Sequence, residues 1–321
     1  MSPARLRSAA LVEHATALVL QLLPLSWAVR LGGWLGERHA RGAIAADRAW
    51  VRRLRRNLGR WRPADPAGPA GLDRQVLTFS RQVGQVYAEI PRLAELCAAG
   101  RVELVGREHL AAATGPVILA GCHCANWELI GRVVALLDGP SCALYLPLAS
   151  PVRDRLARRS RARWTPLLAL IPASAQAMRR IVREVSRGHH LVLFVDEEKD
   201  GHVWAPAFGR RLPDSGNRWF AARLAVQHGM AIVPVFVERL GLARYRVVIE
   251  PALRPAAGLP QAERVRRLAG DLDGRVEAWL LPRLDQWLWL PYLEPDRPLP
   301  TPGRRAAGGG ASTTSHEPSG R

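Results

Sequence analysis

From about residue 117 to residue 281 the chain alternates short apolar runs with longer stretches in which apolar residues recur every three or four positions. The runs Val117–Gly121, Cys142–Leu146, Leu191–Asp196, Ala231–Glu238 and Tyr245–Glu250 are rich in Val, Ile and Leu with little polar alternation. They predict strands buried on both faces. Between and after them, Asn126–Leu137, Val152–Arg163, Ala177–Arg187, Arg218–His228 and Ala262–Leu281 predict helices. This alternation predicts an α/β domain, a mostly parallel sheet flanked by helices. In such sheets the chemistry gathers just past the carboxyl ends of the strands.

The two ends of the chain read differently. His14–Val29 is an uncharged stretch of 16 residues, short of the ~20 that a spanning helix needs, and Pro24 interrupts it. With Arg on both sides and Trp27 and Trp34 near its end, it suits a helix lying in a membrane interface; a core helix is the plainer alternative. In the next block, Arg48, Arg52, Arg55, Arg56 and Arg60 share a helical face. Residues 64–71, ADPAGPAG, break any helix, and residues 301–321 are a Gly/Ser/Thr-rich stretch with almost nothing to bury. The expected organisation is a membrane-associating helical segment at 1–65, an α/β domain at 66–300 and a disordered tail at 301–321.

Charge sharpens the picture. Lys and Arg number 46 against 28 acids, a formal net charge of +18, and all the basic residues except Lys199 are Arg. The excess is concentrated in residues 1–62 and 151–187. It predicts attraction to polyanions: anionic lipid, phosphorylated substrate or nucleic acid. No helix-turn-helix, RNA-recognition or zinc module accompanies it, and the basic segment adjoins an apolar one, which disfavours nucleic acid. The four cysteines are too sparse for a disulfide scaffold and suit a reducing compartment.

The sharpest constellation follows the first strand: Gly121-Cys122-His123-Cys124-Ala125-Asn126-Trp127-Glu128. Asn126 is suited to cap the helix that follows. Glu128, five residues after His123, can fold back so that its carboxylate holds one ring N–H and leaves the other nitrogen to act as general base. A nucleophilic Cys124 and a metal held by Cys122, His123 and Cys124 are weaker readings, the latter because no second ligand pair lies nearby.

These residues carry a resemblance. HCANWELIG resembles the His-x4-Asp/Glu motif of the bacterial lipid A biosynthesis (lauroyl or myristoyl) acyltransferases, within the lysophospholipid acyltransferase superfamily. Leu191–Asp196 followed by Ala205-Pro-Ala-Phe-Gly209 resembles that family's second block, and Pro282 with Gln286-Trp287-Leu-Trp289 its closing signature. Arg56-Asn57-Leu58 is similar to a short motif of its amino-terminal helices.

The resemblance implies a glycerol-3-phosphate-acyltransferase-like fold at the cytoplasmic face of the inner membrane. It implies transfer of a fatty acyl chain from an acyl-carrier-protein or coenzyme A thioester to a hydroxyl of a lipid A precursor or related glycolipid. By position it makes His123 the base and Glu128 its orienting partner, with Arg161, Arg163 and Asp196 as substrate-binding residues. A thioester is already activated, so no metal or other cofactor is expected. The chain departs from the family pattern at Ala125, where Gly is common, and at Leu290–Leu293, where a basic stretch is usual. The second departure keeps a lysolipid acceptor open, and hydrolysis by a thioesterase is the nearest enzymatic rival.

Overall fold

The computed structural model describes residues 22–61, 68–147, 167–199 and 201–297, together with Asp154, Arg155, Arg158, Arg159, Arg161 and Leu299. The predicted tail, most of the predicted helix Val152–Arg163, the first part of His14–Val29 and Arg163 lie outside the described residues.

Three helices open the described chain: α1 (Leu25–Ala45), α2 (Ala49–Trp61) and α3 (Gly68–Glu89), with the short α4 (Leu93–Ala98) after them. The strands are β1 (Val102–Val105), β2 (Val117–Gly121), β3 (Ser141–Tyr145), β4 (Leu168–Pro172), β5 (His190–Phe194), β8 (Ala231–Gly241) and β9 (Arg244–Ile249), with a small hairpin of β6 (Glu198–Lys199) and β7 (His202–Val203). Between strands run α5 (Arg107–Ala111), α6 (Gly131–Val134), α7 (Ala177–Ser186) and α8 (Gly216–His228), and α9 (Gln261–Leu280) follows β9. The seven-stranded sheet has the order β1-β9-β8-β2-β5-β3-β4. Every neighbouring pair is parallel except β8 and β9. The mostly parallel sheet expected from the apolar runs is present, extended by β1 and β4 at its two edges.

The continuous apolar runs make physical sense in this sheet. All five residues of β2 are buried. Ile118 and Ala120 face a core shared with α2, α7, α8 and α9. Val117 and Leu119 face the opposite core, shared with α4, the start of α1 and residues 129–134. Each fully buried Val, Ile or Leu contributes ~1.5–3 kcal/mol, and a strand buried on both faces collects this from every residue.

The division at residue 65 does not separate two packing units among the described residues. Ala40, Ala43, Val51, Leu54 and Leu58 join the same core as the sheet and α9. Helices α1 and α3 cross so closely that a Cβ on Gly36 would lie 2.1 Å from the Ser80 carbonyl oxygen, and one on Gly84 2.2 Å from that of Gly32. The second half of the predicted interfacial segment is partly absorbed into protein: Leu25, Ala28 and Val29 are buried while Trp27 and Trp34 are exposed. No helix among the described residues is long and apolar enough to cross a membrane.

Candidate active site

Strands β2 and β5 are parallel neighbours with Gly121 opposite Phe194, and the Val195 N–H donates to the Gly121 carbonyl at 2.9 Å. Two residues further along each strand, His123 and Asp196 therefore meet. The His123 Nδ1 lies 2.9 Å from Asp196 Oδ1. Oδ2 accepts the His123 backbone N–H at 2.7 Å and the Trp287 indole N–H at 2.8 Å. The Asp196 side chain is 0% exposed and that of His123 20%. An acceptor with all these donors converging on it draws the ring proton to Nδ1, which leaves the lone pair on Nε2. The Trp289 indole nitrogen also lies 3.1 Å from Nδ1. Its N–H is directed at the same nitrogen, so the indole and the carboxylate compete for Nδ1, and the buried, charged carboxylate is the stronger partner for the ring N–H. Phe194, Trp289 and Trp127 surround the ring at centroid separations of 4.5, 5.1 and 5.5 Å.

The loop carrying His123 is laced to the closing signature. Ala125 N–H donates to the Gln286 carbonyl at 2.8 Å, Leu288 N–H donates to the His123 carbonyl at 2.9 Å, and Cys124 bridges Trp287 in antiparallel sense. Ala125 holds a left-handed backbone, φ 51°, a conformation that costs a non-glycine residue ~1 kcal/mol or more. This gives the physical reason why Gly is common at that position in the family motif. The other motifs converge on the same point. Asn57, fully buried, donates to the carbonyls of Leu290 at 2.7 Å and Leu293 at 2.8 Å, and Arg53 donates to that of Pro291 at 2.8 Å. Phe208 packs against Trp287, its own N–H held by Glu277 at 2.8 Å. Leu290 and Leu293 are fully buried, so the segment where a basic stretch is usual is used here for packing.

Several expectations need correcting. Glu128 does not hold the imidazole. Arg161 grips it instead, with Nε 2.8 Å from Oε2 and a second guanidinium nitrogen on Oε1. Burial alone would lower the Arg161 pKa, but the hydrogen bond and charge of Glu128 outweigh it and raise it. Asp196 was expected on the substrate side but is enclosed behind the ring. The Asn126 side chain caps no helix; its amide donates to Glu89 at 3.1 Å. Burial pushes the Cys124 thiol far above its ordinary pKa, so it is no ready nucleophile. Among the described residues no group of three or more His, Cys, Asp or Glu could hold a metal ion.

The roles of Trp287, Trp289 and Gln286 are assigned by the geometry alone; the closing signature had marked them without saying what they touch. Beyond the Glu128–Arg161 pair, a cavity of about 640 Å³ is lined by Arg155, Arg158, Arg159 and Arg161 with Asp154 and the β4 residues Leu168 and Leu170.

Fold and site together define an α/β enzyme with an imidazole–carboxylate pair at the carboxyl edge of a parallel sheet. A family model described as bacterial lipid A biosynthesis acyltransferase matches residues 8–292. The chain belongs to that family, and it is an acyltransferase. Among solved structures it is similar to the 1-acyl-sn-glycerophosphate (LPA) acyltransferase PlsC from Thermotoga maritima, at 12% identity and a TM-score of 0.38 over 78% of this chain and 98% of that one. No curated protein matches the chain.

Proposed function

We propose that this acyltransferase moves a fatty acyl chain from an acyl-carrier-protein or coenzyme A thioester to a hydroxyl of a lipid A precursor or related glycolipid, with His123 as general base. The observation that carries the reading is the fixed Nδ1 contact of His123 to buried Asp196, which turns the basic nitrogen outward. The acceptor hydroxyl gives its proton to Nε2 while its oxygen attacks the thioester carbonyl. The tetrahedral oxyanion collapses, the C–S bond breaks, and the imidazolium returns the proton to the departing thiolate. Asp196 stabilises the imidazolium in between. A thioester supplies its own activation, so the scheme calls on neither an enzyme-bound acyl group nor a metal. The Arg-lined cavity suits phosphate groups on the substrate, and the Glu128–Arg161 pair ties it to the turn after His123.

The test is turnover of acyl thioesters with lipid A precursor, with lysophospholipid and with no lipid. Acylated precursor supports the reading; acylated lysolipid alone replaces the acceptor, and free fatty acid alone makes the enzyme a hydrolase. His123→Ala should remove on the order of 10²–10⁴-fold of the rate while circular dichroism shows a folded protein. Wild-type turnover in that variant sinks the base assignment.

We also place the enzyme at the cytoplasmic face of the inner membrane. Trp27, Arg30, Trp34, Arg38 and Arg41 share the exposed face of α1, an interfacial pattern in which each basic residue near an anionic surface contributes ~1 kcal/mol. Full-length protein should float with anionic vesicles and do so less with Trp27 and Trp34 both changed to Ser. Equal flotation of the two, or none by the wild type, overturns the placement.

A further inference from the structure

Behind the site lies a buried charged cluster that the reaction as written does not use. Glu89, the last residue of α3, is fully buried. Its carboxylate accepts from the Arg239 guanidinium at 3.0 and 3.1 Å, from the Tyr245 hydroxyl and from the Asn126 side-chain amide at 3.1 Å. The Arg239 guanidinium in turn lies 4.6 Å over the Tyr245 ring.

Two arms run from this cluster to the His123 loop. The first is Glu89 to Asn126, three residues beyond His123. The second leaves from the backbone of Arg239, whose N–H donates to Gln286 Oε1 at 2.8 Å; the Gln286 carbonyl then accepts the Ala125 N–H at 2.8 Å. Both arms end on adjacent residues, Ala125 and Asn126, and Ala125 is the one forced into the left-handed region. A strained backbone persists only where its surroundings over-determine it. A buried carboxylate persists only where it is fully paired.

We propose that Glu89 is a positioning residue for acyl transfer: with Arg239 it holds Asn126 and Gln286, and through them the strained turn that aims His123. The proposal rests on the reading of His123 as the base. A displacement of about 1 Å at a reacting group can cost ~10²-fold in rate, so the effect belongs in kcat.

Glu89→Gln leaves the Arg239 charge unbalanced and can fail to fold, so Asn126→Ala is the decisive variant; it cuts one arm and leaves the ion pair intact. It should lower kcat by about ten- to hundredfold, with KM for thioester and lipid within about twofold and the pH profile unmoved, because the His123–Asp196 contact is untouched. Val247→Ala, a core truncation in β9 outside both arms, should lower Tm at least as much and keep wild-type kcat. Wild-type kcat in Asn126→Ala, a change confined to KM, or an equal loss of kcat in Val247→Ala would each overturn the proposal. His123→Ala is measured alongside. Turnover there refutes the base itself, whatever Asn126→Ala does, so the two failures are distinguishable.

Discussion

Replacing Asp196 by Asn separates the two carboxylates that compete for the role of orienting His123. The amide is nearly isosteric, but its two ends are no longer alike. The Oδ2 position faces two fixed N–H donors, the His123 backbone at 2.7 Å and the Trp287 indole at 2.8 Å, so the amide oxygen must sit there. The NH2 is then left facing His123 Nδ1, 2.9 Å away, and that nitrogen must become an acceptor. The imidazole proton moves to Nε2, where the lone pair is needed. Two of the three hydrogen bonds keep their direction and the third is reversed, so Tm should change by only a few degrees, while kcat should fall ~10³–10⁴-fold, the cost of a base held in the wrong tautomer. That corresponds to ~4–5.5 kcal/mol of transition-state free energy. Glu128→Gln breaks the grip of Arg161 but leaves the ring in place, so it should act mainly on KM for a phosphorylated acceptor. Both variants are assayed by thiol release from acyl thioester with saturating acceptor. If Glu128→Gln loses more in kcat than Asp196→Asn while both stay folded, the imidazole is oriented by Glu128 during turnover and the argument from the resting geometry fails.

Two further outcomes test the packing. Gly36→Ala puts a methyl 2.1 Å from the Ser80 carbonyl oxygen; forcing α1 from α3 should cost ~1–3 kcal/mol, read as a fall in the urea midpoint, and an unchanged midpoint refutes the tight crossing. Burial raises the Cys142 thiol to about 12, so iodoacetamide at pH 8 should alkylate it ~10³-fold more slowly than free cysteine. Because the folded thiol keeps its proton to higher pH than the unfolded one, its contribution to stability is intact below pH 9 and is lost as pH rises from 9 towards 12. Comparing urea midpoints of wild type and Cys142→Ala across that range checks the sign.

The central sheet was legible because its strands are apolar on both faces: Val117–Gly121 is placed to the residue, and Ala231–Gly241 and Arg244–Ile249 to within a few. The edges were not. In β1 the run is broken by Glu103, which is exposed; β4, Leu168–Pro172, is apolar throughout, but it is bracketed by Pro166 and Pro172, which read against a strand. The helix expected over Asn126–Leu137 shrinks to a 3-10 turn, Trp127–Ile130, and the four-residue α6. The two pieces run on from one another through Gly131, which is itself helical, while Asn126 at the start is drawn away to Glu89. At the site, His123 stood out because a strand-end His before a helix start is a local pattern. Its partner did not, since Asp196 is 73 residues away in sequence and only the parallel register of β2 and β5 brings the two together. A neighbour in sequence, Glu128, was therefore the nearer choice, and the fold gave it to Arg161. The packing of the N-terminal helices is hidden from sequence for a similar reason. Local composition marks residues 64–71 as a break, but only tertiary packing reveals that Asn57 reaches the carbonyls of Leu290 and Leu293.

That last contact sets an order of events. The backbone that flanks His123 is completed by residues 286–288, and the turn just beyond them is gripped by α2, among the first helices of the chain. During vectorial synthesis, β2 and His123 emerge long before Trp287, whose indole faces Asp196. A growing chain can collapse its early helices and most of its sheet and still lack the wall that shapes the base. With His123 as the proposed base, acyl transfer would therefore switch on late in the life of the nascent polypeptide, when its closing turn docks beside the opening helices, and a chain cut short before Gln286 would carry the motif without the catalyst.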